Sequence, residues 1–286
     1  MRNEQNPVGV LAKTFEILSC FSLKPKGLTL GEIAELTQIN KSSAHRLLSQ
    51  MAARGFVERN DDGQYIIGPA LFQLGLLASR PQELRSAAHP TMTELGRETG
   101  ETVNLAVLEG SEILVINVIE SPHEFRMAAK IGSRKPFHVT ALGKSAVAFL
   151  AEAKLYSLLE HIRLPLDALT PNSATDLARL REDIDLIRSR GYGLDDEECV
   201  VGVRAVAAPI FSAGGEVEGA LSISGPTSRF STERIPAFAI SVMNGAKTIT
   251  ERLGGHPRMV QALSKENNER TEQLGERIPM EHPPSL

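Results

Sequence analysis

The chain has 286 residues, enough for two domains, and its 42% apolar and 23% charged residues are an ordinary globular mixture. No apolar run approaches the roughly 18 residues that span a bilayer, and MRNEQNPVGV lacks the apolar stretch of a signal peptide, so a membrane protein is not expected and a cytoplasmic one is. The net charge of −4 argues against a protein that coats nucleic acid; the charge is uneven, however, with residues 1–80 carrying nine Lys/Arg against seven Asp/Glu. Cys20 and Cys199 fall in different expected domains and form no metal-type pair, which fits a reducing compartment.

In chain order, residues 10–21 carry Leu11, Phe15, Leu18 and Phe21 at helical spacing. Pro25-Lys26-Gly27 is a turn. Thr29 then starts a second helix, with Glu32 three residues on completing a capping box. The stretch LGEIAELTQINKSSAHR, residues 30–46, reads as a short amphipathic helix, a tight break, and a helix opening on polar and basic residues, the form of a helix-turn-helix DNA reader. Leu30, Ile33, Ala34 and Ile39 supply its apolar side, and Leu47, Leu48 and Met51 continue the stripe. Lys41, Ser42, Ser43, His45 and Arg46 face outward, types suited to phosphates and base edges. Ser42 is also in position to cap the third helix. Residues 55–67 then read as strand, turn, strand around Asp62-Gly63. The helical pair alone fits an ordinary two-helix corner; a wing behind it turns the reading to DNA. The expected contacts are Thr29, Asn40, Lys41, Ser42, Ser43, His45 and Arg46, with Arg59 and Gln64 on the wing. The expected partners are a double-stranded operator and a second copy of the chain, since one small module makes few phosphate contacts.

Gly68-Pro69 punctuates, and Leu71, Leu74, Leu77 and Ala78 form a helical stripe before Arg80-Pro81 breaks it. A helix over 81–99 ends at Gly100. Strands are expected over 102–108, 113–119, 125–130, 193–195, 205–211 and 217–224, and helices over 141–151, 174–190 and 231–253. That order is α+β, an antiparallel sheet with flanking helices. The expected organisation is a winged helix-turn-helix domain over 8–68, a helical linker over 69–81, an α+β domain over 82–254, and a polar tail over 255–286, read as disordered or a loose helix.

These blocks resemble the IclR family of bacterial transcription regulators. The resemblance covers roughly residues 8–254 and rests on LTLGEIAELTQINKSSAHRLLSQMAARGFVER, GQYIIGPALFQLG, TGETVNLAVLEG, IGSRKPFHVTALGKSAVAFL, and RGYGLDDEECVVGVRAVAAPIF with ALSISGPTSRFS. It implies a winged helix-turn-helix head, a GAF-like effector domain sensing a small molecule, and a dimer or tetramer on an operator, with repression favoured over activation. The family usually has Gly at the break between the DNA helices and often Pro where Asn40 stands. Here the break is Gln38, which bears a strain of roughly 1 kcal/mol in the left-handed conformation.

Three segments are poised around one pocket. Thr140-Ala141-Leu142-Gly143 opens a helix, whose free N–H groups favour an anion. Asp195 ends a strand. Ser222 and Ser224, two apart on a strand, share a face. Each also has a plainer reading: helix packing, a turn cap beside the solvated run Asp196-Glu197-Glu198, and an ordinary solvent face. The resemblance implies ligand contacts at Ala141, Leu142, Asp195, Ser222 and Ser224, with Met127, Val203 and Ala205 as apolar wall. The expected ligand is a small carboxylate; Asp195 suits it either protonated or accepting from a ligand hydroxyl. His138 and Cys199 read as structural, neither having a second ligand at metal spacing, so no metal, cofactor or catalytic residue is expected. Leu142-Gly143-Lys144-Ser145 ends like a phosphate-binding loop, but His138 stands where that motif needs its first Gly. The remaining alternative is a small-molecule-converting enzyme domain fused to a DNA reader, for which nothing supplies a nucleophile–base pair.

Overall fold

A computed structural model of the chain describes residues 9–21, 23–24, 26–76 and 79–255. The chain divides into two compact units, Met1–Gln82 and Glu83–Leu286. The expectations for the 255–286 tail beyond Gly255, and for Leu77 and Ala78, lie outside the described residues.

The first unit contains α1 (Val10–Cys20), α2 (Leu30–Thr37), α3 (Lys41–Ala52), β1 (Val57–Arg59), β2 (Tyr65–Ile67) and α4 (Pro69–Leu76). Its core joins Ile17, Ile33, Ile39, Leu47, Leu48 and Val57, drawn from every element up to the first strand. Thr29 caps α2: its hydroxyl accepts from the Glu32 amide, and the Glu32 carboxylate accepts from the Thr29 amide at 2.7 Å. Gln38 sits left-handed at φ 55, and its Nε2 donates to the Glu35 carbonyl at 2.7 Å. The cap of α3 is Asn40 rather than Ser42. Asn40 Oδ1 accepts from the Ser43 amide at 2.8 Å and from the Ser42 hydroxyl at 2.9 Å, because Asn40 has the extended backbone a cap needs and Ser42 is already helical. β1 and β2 pair antiparallel around Gly63, whose φ is 74, and Leu28 exchanges backbone bonds with Tyr65 at 2.9 and 2.8 Å, tying the wing to the chain ahead of α2.

The helix α5 (Ser79–Thr99) begins in the first unit and lies mostly in the second, where it leads into β3 (Thr102–Glu109), β4 (Glu112–Ile119), β5 (Arg134–Pro136), α6 (Ala141–Ala148), α7 (Glu152–Glu160), α8 (Leu177–Arg190), β6 (Gly193–Asp196), β7 (Val203–Phe211), β8 (Val217–Pro226) and α9 (Ile235–Arg252). The strands form one antiparallel sheet in the order β5-β4-β3-β8-β7-β6. Side-chain alternation divides it into two cores. Val103, Leu105, Val206, Ala208, Leu221 and Ile223 pack with Leu84, Met92, Phe238 and Val242 of α5 and α9. Ala106, Ala205, Ala207 and Ala220 belong to the core that also holds Leu142, Ala146, Leu180 and Ile184 of α6 and α8.

Several expected boundaries shift for local reasons. No strand forms over 125–130: the carbonyls of Phe125 and Met127 are taken by the Arg229 and Thr102 side chains at 2.9 and 3.0 Å, so the segment has no ladder. The edge partner of β4 is β5 instead, which the sequence reading passed over. The helix expected over 141–151 ends at Ala148, whose carbonyl accepts from Arg188 Nε at 2.7 Å, and α7 follows as a separate helix. α8 begins at Leu177, not 174, because Asp176 caps it by accepting from the Arg179 amide at 3.0 Å. α5 starts at Ser79 and runs through Pro81, which its first turn tolerates. α9 starts at Ile235 after a single 3₁₀ turn over Thr232–Arg234, since Pro236 has no N–H to extend an α-helix backwards.

Thr29→Ala removes the hydroxyl half of the capping box, the acceptor for the Glu32 amide, and is expected to cost the first unit about 1 kcal/mol. Denaturant unfolding of the whole chain, followed by helical circular dichroism, measures this; an unshifted early transition would mean the cap contributes nothing.

Candidate ligand pocket and nucleic-acid face

Strand register builds one wall of a cavity of ≈ 260 Å³ in the second unit. Asp195 on β6 stands opposite Ala205 on β7, which stands opposite Ser224 on β8. One row on, Ser222 is opposite Asn104 of β3. A single register thus carries residues far apart in sequence onto one face. All eight residues assigned to the ligand from sequence, Met127, Ala141, Leu142, Asp195, Val203, Ala205, Ser222 and Ser224, line this cavity. Sequence reading missed Asn104, Lys130, Ser133 and Lys135, and treated Cys199 as structural although it also lines the wall. Asn104 had a signal in hindsight, as the one amide in the apolar strand TVNLAVL. Its Nδ2 donates to Ser222 Oγ at 3.3 Å and Ser224 Oγ at 3.0 Å, so both hydroxyls accept on the sheet side, while Ser224 Oγ also donates to the Thr102 carbonyl at 3.5 Å, a long bond that a better acceptor can displace.

The start of α6 supplies donors. Thr140 caps it, its hydroxyl accepting from the Gly143 amide at 3.0 Å. Among the described residues, no acceptor meets the amides of Ala141 and Leu142, which leaves two helix-start donors at the cavity. Gly143 is required here because a Cβ would stand 2.3 Å from the Phe137 carbonyl oxygen. Lys144, fully buried, donates to both oxygens of Glu198 at 2.6 and 2.8 Å and to Asp183 at 3.1 Å. Ser145 donates to the Ala207 carbonyl at 2.9 Å and accepts from the Gly193 amide at 3.0 Å. The Gly-Lys-Ser sequence is therefore a device for seating α6 on β6 and β7, with its lysine and serine both committed to protein partners.

Burial pushes the Asp195 carboxyl up to about 7, reinforced by the Glu198 charge and opposed by the amides of Glu198 and Cys199 and by Lys144. Those amides donate to one carboxyl oxygen, Oδ1, at 2.8 and 3.2 Å. Near neutral pH the group is partly protonated, so it resists a nearby anion less than an ordinary aspartate would. Burial, followed by Asp195, pushes the Cys199 thiol up to about 11, which keeps it an uncharged wall group. His138 is buried with Nε2 donating to the Asp167 carbonyl at 3.0 Å. Among the described residues no His, Cys, Asp or Glu group is arranged to hold a metal, and no helix is long and apolar enough to cross a membrane.

In the first unit Lys41, Ser42, His45 and Arg46 are exposed along α3, and Ser43 is half-buried. None of the exposed four is held in an ion pair among the described residues. Thr29 and Asn40 spend their side chains on caps. Arg59 donates to the Tyr65 hydroxyl at 2.8 Å with its guanidinium 4.7 Å from the ring centre, and Gln64 is bonded to Asn60 through its amide at 2.9 Å, so both belong to the wing's own framework.

Family comparison locates both units. The IclR helix-turn-helix domain matches residues 10–61, and the bacterial transcriptional regulator IclR C-terminal domain matches residues 77–251. The chain is 36% identical over 248 residues to the transcriptional repressor IclR of Escherichia coli K12, covering 86% of this chain and 90% of that protein. The crystal structure of the Thermotoga maritima IclR aligns at TM-score 0.70 and 33% identity, over 85% of this chain and 98% of that one. An IclR homolog from Microbacterium hydrocarbonoxydans, solved in complex with 4-hydroxybenzoate, aligns at TM-score 0.74 and 26% identity, over 86% and 99%.

Because the folded Asp195 value lies above its ordinary 3.8, the folded state keeps a proton that the unfolded chain releases. Its stabilisation is complete below about pH 4 and is lost as the pH rises to about 7. Asp195→Asn keeps an acceptor for the two amides and removes the titration. The variant is expected to melt higher than the parent at pH 8 and to lose less stability between pH 5 and pH 8. Parallel pH slopes in thermal denaturation would reject this role for Asp195.

Proposed function

The chain belongs to the IclR family of bacterial transcriptional regulators, and from that premise we propose that it binds a small carboxylate in the second-unit cavity and thereby alters its hold on an operator. The observation that carries the ligand class is the convergence of the Ala141 and Leu142 amides with the Ser222 and Ser224 hydroxyls on one cavity. Together they can surround an anion with charge-assisted hydrogen bonds, each worth roughly 1.5–3 kcal/mol. The homolog solved with 4-hydroxybenzoate, itself a carboxylate, supports the same class. Met127, Val203 and Ala205 supply apolar wall for the ligand's body.

The head reads double-stranded DNA with α3, Lys41 and Arg46 leading, and Ser42, Ser43 and His45 beside them. Thr29 and Asn40 keep helix-start amides in order, and Arg59 and Gln64 stiffen a wing that lies along the backbone. We take the working divisions as 8–68 for the head, 69–81 for the linker, 82–254 for the GAF-like effector domain and 255–286 for the tail. The protein acts as a dimer or tetramer in the cytoplasm, where its operator is. Apolar side chains left exposed on the first unit, Phe15 at 58% and Phe72 at 65%, support self-association there. Repression is the favoured sign, supported by the similarity to the E. coli repressor. The effector regulates by binding one of two domain arrangements more tightly than the other. The enzyme alternative has no observation in its favour, the family being one of regulators.

Lys41→Ala is expected to weaken operator binding across sequences and to lower the slope of log affinity against log salt by about one. Gel-shift titration at several salt concentrations tests this, and unchanged affinity would move the docking face elsewhere. Ser222→Ala with Ser224→Ala is expected to abolish the response to the effector and to spare DNA binding. Calorimetry against organic acids and their neutral amides reads the outcome; neutral analogues binding as well as the acids would overturn the carboxylate reading.

A further inference from the structure

Two lysines on the cavity wall pair with no acid among the described residues. Lys130 and Lys135 both line the pocket, and neither makes an ion pair or side-chain hydrogen bond among the described residues. Their positions are set by backbone pairing. Lys135 on β5 stands opposite Ile113 of β4, itself a cavity residue, so strand alternation gives both the same face. Its neighbour Arg134 takes the other face and pairs with Glu109 and Glu112. Lys130 begins a turn fastened to β4: its carbonyl accepts from the Ser133 amide at 3.0 Å, and Gly132 donates to the Val115 carbonyl at 2.8 Å. Both lysines are solvent-exposed, and the Lys135 charge acts on the Cys199 thiol, which lines the same cavity.

The acids nearby do not balance them. Glu198 is bonded to Lys144 through both oxygens. Asp195 is the one carboxyl among the residues lining the cavity, and one of its oxygens is held by two amides. The wall therefore carries two cations against a single acid, and the helix-start and serine donors already suffice for one carboxylate. Resting on the carboxylate reading of this pocket, we propose that the effector bears two anionic groups, a dicarboxylate: one end taken by the start of α6 and the serines, the other by Lys130 and Lys135.

The test is calorimetry on the full chain with matched pairs that differ by one carboxylate: butyrate and succinate, hexanoate and adipate, benzoate and terephthalate. At least one dicarboxylate is expected to bind about fivefold tighter than its partner, since each of the two exposed lysines contributes up to about fivefold when measured singly. That advantage is expected to shrink as ionic strength rises and to collapse to within about twofold in Lys130→Met with Lys135→Met, checked for folding by circular dichroism. Monocarboxylates that bind as tightly as their dicarboxylate partners, or an advantage that survives in the double variant, overturn the proposal and leave the carboxylate pocket standing. Binding of no acid by the parent protein overturns both.

Discussion

The contact on which the effector domain most depends is the buried pair between Lys144 and Glu198. An ammonium and a carboxylate withdrawn from water repay their desolvation only when each is fully bonded, and leaving either alone costs about 3–5 kcal/mol. Here the lysine reaches both Glu198 oxygens and Asp183 besides. One end of the pair is on the first turns of α6, which present amides to the cavity. The other is on the turn after β6, where the amide of Glu198 itself holds the Asp195 carboxyl. The same ion pair therefore fixes the helix-start donors and the acid of the cavity relative to each other. Asp183 extends the constraint to α8, so the cavity's floor is coupled to the helix layer behind it.

Around that pair the sheet works as a two-sided partition. Residues of one parity on β3, β7 and β8 are apolar and pack on α5 and α9; those of the other parity become small or polar where they approach the cavity. Ala205 and Ala207 leave room, and Ser222, Ser224 and Asn104 bring hydrogen-bonding capacity into a layer otherwise closed to it. A third wall comes from the segment ahead of β5. Its backbone is held by side chains: Arg229, paired with Glu101 at 2.6 and 2.8 Å, also grips the Phe125 carbonyl. Irregular backbone of this kind can follow a ligand's outline in a way that a ladder cannot.

The head obeys a different economy, because its recognition helix must be rigid while leaving its side chains free. Two caps provide the rigidity. Thr29 and Asn40 satisfy helix-start amides with their own oxygens, so Lys41, His45 and Arg46 are left exposed to solvent. Gln38 accepts a left-handed backbone at the break, and its side-chain bond to the Glu35 carbonyl offsets part of the strain that Gly would avoid.

Much of this was legible in the sequence wherever the cause was local. The capping box of Thr29 and Glu32, the Asp62-Gly63 turn and the 3.6-residue stripes are written within a few residues of the chain, and they gave the winged helix-turn-helix. Resemblance across separated blocks supplied the cavity residues, which periodicity alone could not bring together. Tertiary structure decided the rest, because register and ion pairing join residues 120 positions apart in Asn104 with Ser224 and 128 apart in Glu101 with Arg229. Asp196-Glu197-Glu198 reads as a solvated run, yet Glu198 is buried because Lys144 is there to receive it. The segment over 125–130 has the apolar content of a strand and forms none, because distant side chains take its carbonyls. Lys130 and Lys135 look like ordinary surface charges; the β4–β5 register for Lys135, and the turn tied to Val115 for Lys130, bring them to the cavity wall. A sequence states its short-range hydrogen bonds and its periodicity directly; which face a strand presents, and which charges meet, follows only once the whole sheet has closed.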